Sequence, residues 1–474
     1  MTSARRNGSL PWIGRHAAAD PFQRRPRGGD SYNQPMSAAI DASIYARRRA
    51  RLAARLGRGV AIVPTAPECL RNRDAHYPYR FDSYFYYLTG FREPEAVLVL
   101  VGGETPRSIL FCRDKNAERE IWDGYRYGPE AARTTFAFDE ANSITEIDAR
   151  MPDLLADRES VQVHLGADAV WDGRVLGWIN AVRSRARSGV AAPGEIRDIR
   201  LLLDDMRLIK DGHEIALMRR AGEISAAAHR RAMQTVRPGA TEYEVEAVLQ
   251  HEFRRCGAQA PAYTSIVAGG ANACVLHYVE NSAALADGDL LLIDAGCELD
   301  GYASDITRTF PVNGRFSGPQ REVYELVLAA QAAAIATVKP GAHWNTPHDA
   351  AVKVLAQGFI DLKLLSGTLD DVLAQESYKQ FYMHRTGHWL GLDVHDAGDY
   401  KTGGEWRELQ PGMVLTVEPG CYIRPAPGVP EAFANIGIRI EDDALVTGDG
   451  CEILSAAAPK RIADIEALMR DRHA

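Results

Sequence analysis

The sequence predicts a mixed α/β (α+β) protein made of two folded domains behind a short unstructured extension. Three observations carry that expectation. A length of 474 residues holds two to three domains' worth of chain. From about residue 58 to 200, short apolar runs bounded by turn-formers are mixed with helical stretches, as in an α/β domain. Beyond a long helical stretch around 200–233, strand-like runs recur, and several now end on carboxylates.

The elements follow in chain order. Residues 1–35 carry Arg5, Arg6, Arg15, Arg24, Arg25 and Arg27 against only Asp20 and Asp30, with no periodicity and no apolar core of a secretory signal. They read as a disordered extension or an over-long start, with Met36 opening the folded chain; an Arg-rich transit peptide is a third reading. IYARRRARLAARLG keeps its apolar residues on one side and reads as a helix closed by Gly57. GVAIVP, AVLVLVGG, SILFCR and VQVHLG read as strands and GWINAVRSRAR as a helix. That makes 36–205 an α/β domain without a catalytic constellation of its own. RDIRLLLDDMRLIKDGHEIALMRRAGEISAAAHRRAM then predicts a connecting helix, a break near Lys210 to Gly212, and the first helix of a second domain over 206–474.

Composition narrows the function. The net charge of −8 offers no basic footprint for nucleic acid, and no apolar run is long enough to span a bilayer. The seven cysteines include no CxxC pair, which predicts reduced thiols and a cytoplasmic setting.

Chemistry concentrates in the last third of the chain. LLLID (290–294) reads as a buried strand with Asp294 at its end. Asp305, Thr307 and Thr309 alternate onto one face of a second strand, joined to the first through the turn-formers of GCELDGYAS. VLTVE ends on Glu418, and Ile436, Ile438 and Ile440 form one strand face with Arg439 and Glu441 on the other. HRTGHWLGLDVHD (384–396) adds His388. Its HxxxH spacing is no zincin signature, because Gly387 interrupts a helix and Arg385 stands where the glutamate is needed; His384 is therefore expected on a loop. Taken singly, Asp294 is also a turn or cap residue, Arg439 a structural ion pair and His388 a hydrogen-bonded core histidine. Together, Asp294, Asp305, His388, Glu418 and Glu441 make four carboxylates and one imidazole, too many for one ion and charge-matched to two divalent ions. Oxygen-rich sets favour hard cations such as Mn²⁺ over zinc. Two ions about 3.5–4 Å apart make a hydrolytic centre.

These motifs, with YPYRFDSYFYYLTGFREPEAVLVL and MRLIKDGHEIALMRRAGEIS upstream, resemble the pita-bread metallopeptidase family that includes aminopeptidase P, prolidase and methionine aminopeptidase. Aminopeptidase P is the nearest branch, and the likeness runs from about residue 40 to the end. The resemblance implies a curved, mostly antiparallel catalytic sheet covered by helices. It implies metal ligation by Asp294, Asp305, His388, Glu418 and Glu441, with Asp305 and Glu441 shared by two ions, Mn²⁺ being the expected metal. Glu418 is expected to shuttle a proton, and His277 and His395 to hold the substrate carbonyl. His384 would line the pocket, and Arg439 and Tyr422 would back the carboxylates. The implied reaction releases the first residue of peptides with proline second, and the implied assembly is a homo-oligomer, dimer or tetramer. Tyr86 departs from the Trp of related bacterial enzymes and would close a neighbouring subunit's substrate site less surely. Alternatives on the same fold are a prolidase confined to Xaa-Pro dipeptides, a non-catalytic peptide-binding module, and metal-independent creatinase-like chemistry; the complete ligand set argues against the last two.

Overall fold

The computed structural model describes residues 41–471, so the expectations for residues 1–35 and for Met36 lie outside the described residues. Six strands, β1 (Val60–Pro64), β2 (Val97–Val101), β3 (Arg107–Cys112), β4 (Glu140–Ser143), β5 (Ser160–Val163) and β6 (Glu195–Asp198), form one mixed sheet in the order β4-β3-β2-β1-β5-β6. β1 runs antiparallel to β2 and parallel to β5. The predicted apolar runs supply β1, β2, β3 and β5. They are continuous rather than alternating because the central strands are buried on both faces. Helix Ala42–Ala53 precedes this sheet; it ends at Ala54 in the right-handed conformation, before the expected Gly57, which at φ +57° turns the chain toward β1.

Helix Arg200–Leu208 leads into helix Gly212–Thr235, and the expected break lies between them. Asp211 sets its position: its carboxylate accepts from His213 and Glu214 N–H, while the Glu214 side chain accepts from Asp211 N–H.

The second half holds β7 (Ala260–Pro261), β8 (Ile266–Gly269), β9 (Leu290–Asp294), β10 (Cys297–Leu299), β11 (Tyr302–Ala303), β12 (Thr307–Pro311), β13 (Lys401–Thr402), β14 (Glu405–Trp406), β15 (Val414–Val417), β16 (Gly420–Ile423), β17 (Ile436–Arg439), β18 (Asp442–Val446) and β19 (Cys451–Ile453). They pair as β12-β9-β8, β15-β18-β19, β16-β17, β11-β10-β7 and β13-β14. Every pairing among these described strands is antiparallel. Their apolar faces share one core with helices Gly212–Thr235, Glu242–Arg255, Gly318–Ile335 and Thr346–Asp361. One detail differs from expectation. GCELDGYAS is not a plain turn between β9 and β12 but folds into its own hairpin, β10 with β11. Asp300 (φ +51°) and Gly301 (φ +85°) supply the two left-handed residues that such a tight turn requires.

The two halves meet on a second apolar cluster, where Phe81 and Phe85 join Tyr302, Leu390 and Leu392. Arg80 pairs with Glu298 at 2.6 Å and donates to Leu392 O at 2.5 Å, and Ser83 Oγ donates to Asp393 Oδ1 at 2.6 Å. The first domain thus braces the loop that carries the histidines.

Candidate active site

The carboxylates stand where strands stop. Asp294 is the last residue of β9, and its register opposite Thr307 brings it beside Asp305, two residues before β12. Glu418 follows β15 directly, and Glu441 occupies the break between β17 and β18, its N–H donating to Thr307 O at 3.1 Å. Residues past a ladder's end can turn side chains inward without costing a strand hydrogen bond. His388 comes from a loop lying along β15, where Thr416 N–H donates to His388 O at 2.9 Å and His388 N–H to Thr416 Oγ1 at 3.0 Å. A Cβ on Gly387 would fall 2.0 Å from Thr416 O, so only glycine lets the loop lie this close.

Ligand atoms of Asp305, His388 and Glu441 all lie within 4.8 Å of one another. His388 Nδ1–H donates to Trp389 O at 3.0 Å, which fixes the tautomer and leaves Nε2 facing Asp305 Oδ2 at 3.5 Å and Glu418 Oε1 at 3.6 Å. Arg439 holds Asp294 Oδ2 at 2.5 Å and donates to Tyr422 Oη at 3.0 Å and Thr307 Oγ1 at 3.1 Å. Thr307 in turn donates to Glu441 Oε2 at 2.7 Å. The five predicted ligands share one cavity of about 1090 Å³ with His277, His384, His395 and Arg439. Tyr422 stands behind its wall, bonded to His384 Nε2 at 2.8 Å.

The electrostatics follow from crowding like charges in a dry place. Burial and the neighbouring Asp305 and Asp294 push the Glu418 carboxyl up to about 7, against the pull of His388 and Arg439. Burial and Asp294 raise Asp305, and burial with three acidic neighbours drives Glu441 well above the carboxylate range. Burial works against charge on His388, yet Asp305 and Glu418 hold it up to about 9. A buried set of this kind is costly unless cations sit among the oxygens. Its makeup, oxygen-rich with one imidazole nitrogen, suits hard divalent ions. The residues present fit a metal centre.

His384 is the opposite case. Burial, then Arg439, lowers it to about 3, so it is neutral, with Nδ1–H donating to Arg385 O at 2.7 Å and Nε2 accepting from Tyr422. His395 lies edge-on to His388 with ring centroids 4.3 Å apart. His395 and His277 are exposed toward the cavity.

Residues 216–448 match metallopeptidase family M24, and residues 45–164 match the aminopeptidase P amino-terminal domain. The chain is 48% identical to the Xaa-Pro aminopeptidase of Haemophilus influenzae, over 90% of this chain and 96% of that protein. The chain belongs to metallopeptidase family M24, in its aminopeptidase P branch. Aminopeptidase PepP of Pseudomonas aeruginosa superposes with a TM-score of 0.90 at 53% identity, covering 91% of this chain and 99% of that one. A zinc-substituted Escherichia coli aminopeptidase P in complex with product gives 0.90 at 44% identity, over 92% and 100% of the two chains. This M24 chain is therefore a metallopeptidase, an enzyme that hydrolyses peptides with divalent metal.

Two site residues need restating. Tyr86 does not line this chain's own cavity: it is 2% exposed, stacks on Phe81 at 3.9 Å, and accepts from Arg92 at 2.8 Å. The aromatic run is a helix, Ser83–Thr89, capped by Asp82, and that helix turns Tyr86 inward. Tyr263 was not legible in advance. Its hydroxyl lies 2.6 Å from Asp294 Oδ1 and also bonds Asp305, tying the two aspartates together from outside every motif.

Proposed function

We propose that this M24 enzyme releases the amino-terminal residue from peptides whose second residue is proline, using two divalent ions, Mn²⁺ foremost. Asp294, Asp305, His388, Glu418 and Glu441 would hold the ions, with Asp305 and Glu441 shared between them. The observation that carries this reading is the convergence of Asp305, His388 and Glu441 to within 4.8 Å, with Glu418 and Asp294 beside them, in a chain whose relatives are Xaa-Pro aminopeptidases. When bound, such ions lower the pKa of water and polarise a scissile carbonyl. The chain's own residues supply the rest. Glu418 takes the proton from water and passes it to the leaving prolyl nitrogen. His395 and His277 face the cavity and donate to the carbonyl oxygen as charge builds there. Arg439 pins Asp294 and, through Tyr422, orients His384, whose ring face forms a wall for the prolyl side.

The reading extends to the whole molecule. Separate apolar clusters support a division into 36–205 and 206–474. Ile121 and Trp122, 81% and 79% exposed, support a homo-oligomer, dimer or tetramer. Seven free cysteines support a cytoplasmic setting; among the described residues, no helix is long and apolar enough to cross a membrane.

The test is release of the first amino acid from Xaa-Pro tripeptides and dipeptides, with Mn²⁺, Zn²⁺, Co²⁺ or a chelator added. Tripeptide cleavage that a chelator abolishes is expected. Cleavage of dipeptides alone makes the enzyme a prolidase, and no cleavage by metal-loaded protein leaves a peptide-binding module.

A further inference from the structure

The charged groups of the active cavity are almost all accounted for. Arg439 is paired with Asp294, Asp396 is closed off by Arg207 and Lys210, and the remaining carboxylates form the metal donor set. Arg385 is the exception. It is exposed at the cavity wall, directly after His384, and has no carboxylate within ion-pair range among the described residues.

Its guanidinium is nevertheless held in place. Nη1 donates to Asn345 Oδ1 at 2.8 Å, and the guanidinium carbon lies 5.1 Å from the centroid of the Trp406 ring. This leaves the Nε and Nη2 edge, the edge that takes a carboxylate with two parallel hydrogen bonds, without a partner in the described chain. A second cation converges on the same ring. Lys401, opposite Trp406 in the β13–β14 register, puts Nζ 4.4 Å from that centroid and also lacks a carboxylate partner. The two cations therefore lie within a Debye length of each other, about 10 Å at 0.1 M salt. Trp406 holds both by cation–π attraction. Two like charges oriented on one ring at the mouth of a catalytic cavity form a receptor for an anion.

We propose that Arg385, assisted by Lys401, is an anion subsite that selects peptides carrying a carboxylate downstream of the scissile bond. This rests on the proposed peptidase reading. A substrate with its amino terminus at the metals runs outward toward the mouth, and the shared chemistry at the subsite is a carboxylate. Its sources are the α-carboxylate of a short peptide or an acidic side chain after the proline. The α-carboxylate of short peptides is favoured, because it is present whatever the sequence.

The experiment compares kcat/KM of metal-loaded full-length enzyme on Xaa-Pro-Xaa tripeptides with a free carboxylate and with a carboxamide. A second pair, carboxamide peptides with Glu or Gln after the proline, separates the two carboxylate sources. The free acid should be preferred by about five- to tenfold, chiefly through KM, the size of a partly exposed charge-assisted contact. Arg385→Gln should bring the ratio close to one, Arg385→Lys should keep part of it, Lys401→Gln should halve it, and added salt should shrink it in the wild type. A wild-type ratio of one overturns the subsite, as does an Arg385→Gln protein that loses the acid and the amide alike. Failure to cleave either tripeptide would count against the peptidase reading alone. In that case calorimetric binding of Pro-Leu and its carboxamide to the metal-loaded protein decides the subsite: equal affinities overturn it, and a preference for the acid that Arg385→Gln removes supports it.

Discussion

Glu441 and Asp442 are neighbours in sequence, both almost fully buried, and they have opposite surroundings. Asp442 is closed by the chain itself: Arg308 at 2.7 Å, Lys460 at 2.6 Å, Ser455 at 2.7 Å and Gln331 at 3.1 Å all donate to it. Burial alone would raise its pKa, but Arg308 and Lys460 outweigh that and hold it below the carboxylate range. Glu441 has the Thr307 hydroxyl and, around it, three more acids, and it is driven well above that range. Burial therefore does not distinguish a carboxylate that the chain neutralises from one that it leaves uncompensated. The cations available within the chain do. One cluster is neutralised from inside, whereas the other keeps a deficit of positive charge that only ions from solution can fill.

The contrast can be broken or sharpened by experiment. The largest effect should be on catalysis: Asp305→Ala at saturating metal should lose at least about a thousandfold in kcat/KM, about 4 kcal/mol of transition-state stabilisation. Its far-ultraviolet circular dichroism should not change, because the sheet is held by its apolar faces. Activity close to wild type would remove Asp305 from the centre. Asp442→Asn should do the reverse, costing about 3–5 kcal/mol in denaturant unfolding by leaving Arg308 buried without its counter-charge. If this variant is as stable as wild type, the inner cluster does not hold the fold.

His229, fully buried with Nε2 2.9 Å from Ala295 O, lies between the two clusters and feels Arg308 and Asp294 in opposite directions. Burial above all lowers its pKa from 6.5 to about 4. A proton then binds the unfolded chain first, so stability is complete above pH 6.5 and falls as the pH drops toward 4. The loss should reach about 3 kcal/mol, at about 1.36 kcal/mol per pKa unit. His229→Gln should flatten that limb of the stability–pH curve, and an unchanged slope would assign it to other groups. The smallest effect is also the most pointed. With chelator present, Glu441→Gln should raise stability by about 1 kcal/mol, because it removes a carboxyl that the unfolded chain ionises and the crowded folded site forces to take up a proton, while metal binding in a direct titration collapses. A less stable variant under chelator would mean that the acids are not repelling one another.

Much of the site was legible because its residues obey local rules. Asp294 and Glu418 end apolar runs, a two-residue period separates Arg439 and Glu441 from the isoleucines, and Gly387 rules out a helix through His388. Local rules did not show which way Tyr86 points: a helix capped by Asp82 turns its ring inward, away from this chain's own cavity. Nothing could have marked Tyr263, whose hydroxyl matters only because its segment passes two aspartates more than thirty residues downstream.

The sequence alone determined most of the secondary structure, through apolar periodicity, capping residues and turn-formers, and it determined which side chains could ligate, because ligand chemistry belongs to residue types. It could not show what surrounds Glu441 and Asp442. Adjacent residues of an extended chain point to opposite faces, but which face meets Arg308 and which meets Asp294 and Asp305 depends on strands brought in from more than a hundred residues away. Nor could it show that Arg385 and Lys401 converge on Trp406, or that Arg439 reaches Asp294. Partnerships of that kind are set by register, loop closure and packing, and they exist only once the tertiary structure has formed.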